Sequence, residues 1–161
     1  MELTSKNLTL RKLKKSDSEC FFDVMGNERV MTPIPLNTLT RKESDVHLLE
    51  LIKQEKTKVF AIIHQSDKSF IGICAIARDN EIIYRIRPQF WRLGYGSEAT
   101  EVLIKYCFTV LNLKYLTAEA NKSKVPSIKI LERYFYKTGE YHDYDLNCRK
   151  YTYKQFNPVN G

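Results

Sequence analysis

The hydrophobic period changes once in the middle of the chain, and that change constrains the fold more than any other feature. Residues 59–64 and 70–77 are short runs of β-branched, aromatic and small apolar residues, separated by the turn-forming Gln65-Ser66-Asp67-Lys68-Ser69. They read as an antiparallel hairpin. Arg78-Asp79-Asn80 is a second turn, and residues 81–87 form a third strand that Pro88 stops. Gly94 and Gly96 then stand one residue apart, and from Ser97 to Val110 the period becomes helical, with Ala99, Val102, Leu103, Tyr106 and Val110 on one broad face. A meander that feeds through a glycine loop into an amphipathic helix calls for helices layered on a sheet.

The flanks fit that plan. Leu8 and Leu10 alternate with polar neighbours, as in a first strand. Ser16-Asp17-Ser18-Glu19 and Thr40-Arg41-Lys42-Glu43 are both S/T-x-x-E capping boxes, predicting a helix that stops at Gly26 and another that runs to about Lys56. Thr32-Pro33-Ile34-Pro35-Leu36-Asn37 between them reads as a loop. Residues 115–120 predict a strand. Pro126 suits a first helical turn, and Ile128, Leu131 and Phe135 continue that helix until Gly139. Two last strands are expected at about 141–146 and 151–156. The order is β-α-α-β-β-β-α-β-α-β-β.

Composition narrows the class. The chain has 161 residues, enough for one domain with its own core, and 43% are hydrophobic, which argues against disorder. No apolar run has the length of a membrane span, and the charged N-terminus lacks a signal-peptide core. The four scattered cysteines (Cys20, Cys74, Cys107, Cys148) make no zinc pattern and are expected to be reduced thiols, so the expected location is cytoplasmic. Cys74 and Cys107 fall at apolar positions and read as buried and inert. A net charge of +7 points to an anionic partner without naming one.

Chemistry concentrates at the glycine loop. Glycine permits positive φ and close backbone approach, and a helix N-terminus offers unpaired N–H groups at the positive end of its dipole. Together they make an anion site suited to phosphate, with the N–H groups of residues 92–97 toward the ligand and Arg92 and Arg87 adding charge. The loop lacks the Gly-Lys-Ser/Thr of a Walker motif and the third glycine of a dinucleotide fingerprint. Taken alone, Gly-x-Gly is an ordinary turn.

In context it resembles the cofactor motif of the GNAT superfamily of acyl-CoA N-acyltransferases, Q/R-x-x-G-x-G/A. Pro88-Gln89-Phe90-Trp91-Arg92-Leu93-Gly94-Tyr95-Gly96-Ser97-Glu98-Ala99 resembles in particular the ribosomal-protein N-acetyltransferase-like branch, with Trp91 in the first motif position, and Leu8-Thr9-Leu10-Arg11 resembles that branch's first strand. The resemblance implies a single acetyltransferase domain over residues 1–161. Its fold would be α/β (α+β), with a central mixed, mostly antiparallel sheet of about seven strands and about four helices. The sheet would splay between the strands near 81–87 and 115–120. Acetyl-CoA would be the co-substrate, with no metal. Its pyrophosphate would lie on Arg92, Leu93, Gly94, Tyr95, Gly96 and Ser97, and its pantetheine arm in the split beside Tyr84, Arg85, Ile86 and Arg87.

A second family motif, N-x-x-S-x-x-[VL]-[LI]-E-[KR]-x-G-F, is matched at Ser127, Ile130, Leu131, Glu132 and Arg133. Lys124 stands where Asn is usual and Phe135 where Gly is usual. Lys124, or Asn121 three residues earlier, would take over the cofactor contact. Ser127 is the candidate acid for the leaving thiolate; the equal alternative is a first-turn hydroxyl that caps the helix. The position where related enzymes place a tyrosine acid is Leu131. Glu81 and Asp145 are the candidate bases, each weighed against a solvated carboxylate, and His64 and His142 are the other groups that titrate near neutrality.

The leading expectation is acetyl transfer from acetyl-CoA to a primary amine, either a protein α-amine or a small molecule. A non-catalytic acyl-CoA-binding domain is the alternative. The lysine-rich stretches at 12–15 and 122–124 accompany no nucleic-acid motif and read as solvated surface. No membrane partner is expected, the acceptor amine is unidentified, and a homodimer is possible.

Overall fold

The computed structural model describes residues 1–31 and 38–159. The predicted loop at 32–37 lies outside the described residues. Among the described residues eight strands form two sheets. In the first, β1 (Glu2–Thr4), β2 (Leu8–Lys12), β3 (Val59–His64), β4 (Phe70–Ile76) and β5 (Ile82–Ile86) pair antiparallel in chain order. In the second, β6 (Tyr115–Asn121), β7 (Tyr136–Asp143) and β8 (Cys148–Phe156) take the order β6-β8-β7. Among the described residues one parallel bridge, Glu81 to Thr117, ties the residue just before β5 to β6. Beyond it the two strands diverge, so the predicted splay is present.

Among the described residues five α-helices pack on this frame. Helices α1 (Ser18–Met25), α2 (Glu28–Met31) and α3 (Arg41–Lys53) cover one face of the first sheet. There Phe21, Val24 and Leu48 bury against Ala61, Ile63 and Ile73. Helices α4 (Tyr95–Thr109) and α5 (Val125–Tyr134) cover the other face, where Leu103, Cys107 and Leu131 meet Leu10, Ile62, Ile86, Leu116 and Tyr153. Alternation explains the two cores: odd and even residues of a strand face opposite sides, and both sides of β3 and β4 are covered, so these strands are apolar except for His64 at the end of β3.

The capping box at Thr40 is present. Thr40 N–H donates to Glu43 Oε2 at 2.8 Å, and Glu43 N–H donates to Thr40 Oγ1 at 3.3 Å. The one expected at Ser16–Glu19 is not. Instead Lys14 N–H donates to Asp17 Oδ2 at 2.8 Å, and Arg11 forks onto the same carboxylate at 2.8 and 2.9 Å. Asp17, inside that stretch, is thus held by β2 and caps the 3₁₀ turn over Lys15–Asp17 that precedes α1.

The C-terminal region corrects the reading further. Helix α5 ends at Tyr134, and Phe135 leaves it in extended backbone to bury its ring. Gly139 is no helix stop; it lies in β7 beside a register shift against β8. Strand β7 therefore starts earlier than expected and is over by Asp143, and Asp145 falls in the exposed turn between β7 and β8. The first strand, β1, has no sequence expectation behind it. It is short, and Ser5 and Asn7 in the turn after it are tied to Glu98 of α4 at 2.6, 2.7 and 3.0 Å. Among the described residues no helix is long and apolar enough to cross a membrane, and all four cysteines are free thiols. Burial raises Cys74, and pushes Cys107 up to about 12, so neither supplies a thiolate at neutral pH.

Candidate active site

The site is built where β5 ends, because the chain must there leave the sheet and turn into α4. A 3₁₀ turn over Pro88–Phe90 begins the loop. Trp91 then pins it: its Nε1 donates to the Ile86 carbonyl at 2.7 Å while the indole stays part exposed under the Arg29 guanidinium, 4.9 Å from the ring centre. Trp91 is thus a strut on the strand end and not a core residue. Arg92 and Gly94 both take positive φ, 63° and 83°. These turns align the N–H groups of residues 93–97, which meet no acceptor among the described residues; the first bond closing the helix is Glu98 N–H to the Gly94 carbonyl at 3.1 Å. Arg92 and Leu93 are exposed, and the Tyr95 ring packs between His64 and Phe90.

Gly96 is needed for close packing. A Cβ there would lie 3.1 Å from the Tyr84 ring and 3.3 Å from Ile130. β5, α4 and α5 therefore converge at one point, and Ser127 lies there too, its hydroxyl beside that of Tyr84. The Tyr84 hydroxyl is buried without a bond of full hydrogen-bond geometry, and burial raises its pKa, which Ser127 partly offsets. Ser97 ties the same helices: its Oγ is 3.1 Å from the Tyr134 hydroxyl and accepts from Arg133 Nη1 at 3.2 Å. Arg133 thereby reaches the loop, a placement that requires α4 and α5 to be docked.

Strand pairing decides which backbone groups face the split. Arg87 N–H donates to the Ile71 carbonyl and Ala77 N–H to the Glu81 carbonyl, so odd-numbered residues of this strand direct their backbone toward β4. Tyr84, between them, directs its N–H and carbonyl into the split. Arg87 itself is not brought to the loop. Its guanidinium is held by Asp23 at 2.7 Å and by the Phe70 carbonyl at 2.9 Å. Asn121 and Lys124 stand at the end of β6 and the cap of α5. Asn121 Oδ1 is taken by Ser123 at 2.8 and 2.7 Å, its carbonyl accepts the Lys124 N–H at 2.9 Å, and the Lys124 ammonium meets no carboxylate among the described residues.

The opposite face of the split is charged. Glu81 is partly buried at the bridge, and its carboxyl is raised, first by burial and then by the Glu119 charge, with Lys150 and Arg85 pulling it back. Glu119 accepts from the Tyr141 hydroxyl at 2.9 Å and pairs with Lys150 at 3.6 Å; Lys150 also bridges to Asp143 at 3.0 Å. A cavity of about 240 Å³ opens beside Glu81, Thr117, Glu119 and Thr152. Sequence reasoning missed Glu119, Lys150, Tyr141 and Asp143. The alternation of Thr117, Glu119 and Asn121 with Leu116, Ala118 and Ala120 marks a polar stripe on β6, but joining it to Lys150 and Tyr141 takes the β6–β8–β7 register. Asp145 is outside this group, and so are His64, which faces Asp67 and Ser66, and His142, which packs on Tyr144.

Known proteins share this fold. The acetyltransferase (GNAT) domain profile matches residues 7–134. The uncharacterized N-acetyltransferase p20 of Bacillus licheniformis is 30% identical over 154 residues, covering 89% of this chain and 86% of its own. A GNAT-family acetyltransferase from Bacillus anthracis superposes with a TM-score of 0.87 at 20% identity, over 98% of this chain and 99% of that one. The ribosomal alpha-N-protein acetyltransferase RimL, solved in complex with coenzyme A, superposes at 0.79 with 16% identity, over 97% of this chain and 98% of its own. Because the profile spans most of the chain and the p20 relative is alike along nearly all of it, the chain belongs to the GNAT family of acetyltransferases and is an N-acetyltransferase.

Proposed function

We propose that this enzyme binds acetyl-CoA at the α4 N-terminus and passes the acetyl group directly to a primary amine in a ternary complex, with residues 1–161 working as one domain. The observation that carries this reading is the row of N–H groups at residues 93–97 unanswered among the described residues, set beside two sheets that, among those residues, a single bridge joins. The row suits a pyrophosphate, with Arg92 and Arg133 at its margin and Lys124 toward a further phosphate. The split suits the amide-rich pantetheine arm, which satisfies strand-edge groups left without a neighbour.

The chemistry follows from the two faces. The amine attacks the thioester carbon, the N–C bond forms and the C–S bond breaks. The Tyr84 N–H, directed into the split, meets the oxygen on which charge develops. The amine must lose a proton to attack, and Glu81 receives it; the burial that raises its carboxyl makes it a better base than an exposed one. The leaving thiolate takes a proton on the α5 side, where the Ser127 hydroxyl sits beside Tyr84. Asp145, exposed in its turn, takes no part.

Thiol release from acetyl-CoA, followed across a panel of amines, tests the reading. Turnover with some amine, lowered by about 10² or more in E81Q, is expected. Saturable acetyl-CoA binding with no thiol release from any amine would favour a non-catalytic binding domain.

A further inference from the structure

Three arginines are partly withdrawn from solvent: Arg11, Arg85 and Arg87. Two have carboxylate partners. Arg11 forks onto Asp17, and Arg87 holds Asp23 and the Phe70 carbonyl. Arg85 has no such partner. It makes no hydrogen bond or ion pair among the described residues, and Glu81 is its one charged neighbour. Glu81 is its counterpart: also partly buried, its carboxylate accepts no hydrogen bond among the described residues. The two sit four residues apart on one strand, on the face away from α4 and α5, close enough to feel each other yet not joined as a pair.

Charges withdrawn from water are ordinarily paired, since an unpaired one is costly. A strand that holds a cation and an anion apart, neither hydrogen-bonded nor ion-paired among the described residues though Lys150 also bears on Glu81, is the complement of a ligand carrying both signs. We propose that the acceptor carries a carboxylate as well as its primary amine: Arg85 grips the carboxylate while Glu81 faces the amine. The guanidinium fork matches a carboxylate with two parallel bonds. The same residue repels polycationic amines, so the site selects by exclusion as well as by attraction. This inference rests on the reading of the split as the transfer site, and it names the acceptor class that the site takes.

The test pairs acceptors that differ only in the carboxylate. Free amino acids are compared with their carboxamides, and peptides with an acidic residue next to the N-terminus with their neutral counterparts, by thiol release with the parent enzyme, R85Q and R85K. The parent is expected to favour carboxylates by about tenfold or more in kcat/KM, the discrimination that one charge-assisted pair supplies. R85Q reduces the carboxylate substrates to the level of the amides without moving KM for acetyl-CoA, and R85K retains part of the preference. The two arms tell a free amino acid from a protein N-terminus. Equal turnover of acids and amides by the parent overturns the inference, as does an R85Q effect confined to KM for acetyl-CoA. If no amine releases thiol, the proposed function fails, and the inference is decided by calorimetry. A panel of N-acetyl amino acids and their amides is then titrated onto CoA-saturated protein: tighter binding of the acids, lost in R85Q, supports it, and no difference or no binding by either overturns it.

Discussion

Glu81 shows how position sets the work of a side chain. Burial is the largest influence on its carboxyl, and Glu119 adds to it, so the folded-state pKa lies above the unfolded value. A group shifted this way stabilises the fold fully below its unfolded pKa, about 4.3 for glutamate, and loses that contribution as the pH rises through the folded value. E81Q removes the cost of the ionised form. It should therefore melt above the parent at pH 7, with the gap closing as the pH falls toward the ordinary carboxylate range, while its turnover is lost. A melting temperature equal to the parent's at pH 7 would contradict this. Sequence makes Glu81 a candidate base on the third strand of the meander and goes no further. What perturbs it, Glu119 and Lys150, comes from strands far along the chain, and no local pattern encodes their register.

At the scale of elements, the glycine loop was legible because each residue has a local reason. Gly94 takes a φ of 83° with nothing within 4 Å of where a Cβ would stand, while Gly96 has ordinary φ and close neighbours. Alanine at the two sites should therefore act differently. G94A strains backbone and costs about 1 kcal/mol, raising KM for acetyl-CoA by displacing the N–H row. G96A presses on Tyr84 and Ile130, costs about 1–3 kcal/mol as an overpacked contact, and lowers kcat because Tyr84 and Ser127 move together. Melting curves and steady-state kinetics on both variants check this; identical kinetic changes would contradict it. The α5–β7 boundary was not legible for the opposite reason. Its residues carry a helical apolar spacing through Phe135, and Gly139 looks like a stop, but pairing with β8 draws the chain into a strand from Tyr136 onward. Tertiary hydrogen bonds outweigh local propensity there.

For the whole molecule, the layered order follows from the change of hydrophobic period, the two cores from helices on both faces of the first sheet, and the split, which the family resemblance implies, from the Glu81–Thr117 bridge beyond which β5 and β6 no longer pair. The surplus charge divides between uses. Arg11 and Arg87 are consumed by internal carboxylates. Arg92, Arg133 and Lys124 lie about the α4 and α5 N-termini and the Ser97 contact, and Arg85 stands unanswered on the far side of the sheet. A basic chain of this kind needs no nucleic acid to account for its charge, because a cofactor with a pyrophosphate is itself a polyanion. The central claim is that the loop at residues 92–97 and the split beside it form one acetyl-CoA site. Calorimetric titration of acetyl-CoA onto the parent protein and G94A tests it most directly. Saturable binding of one molecule per chain to the parent, weakened in G94A, is the predicted result; no heat of binding to the parent, or equal affinity in the two, would contradict it.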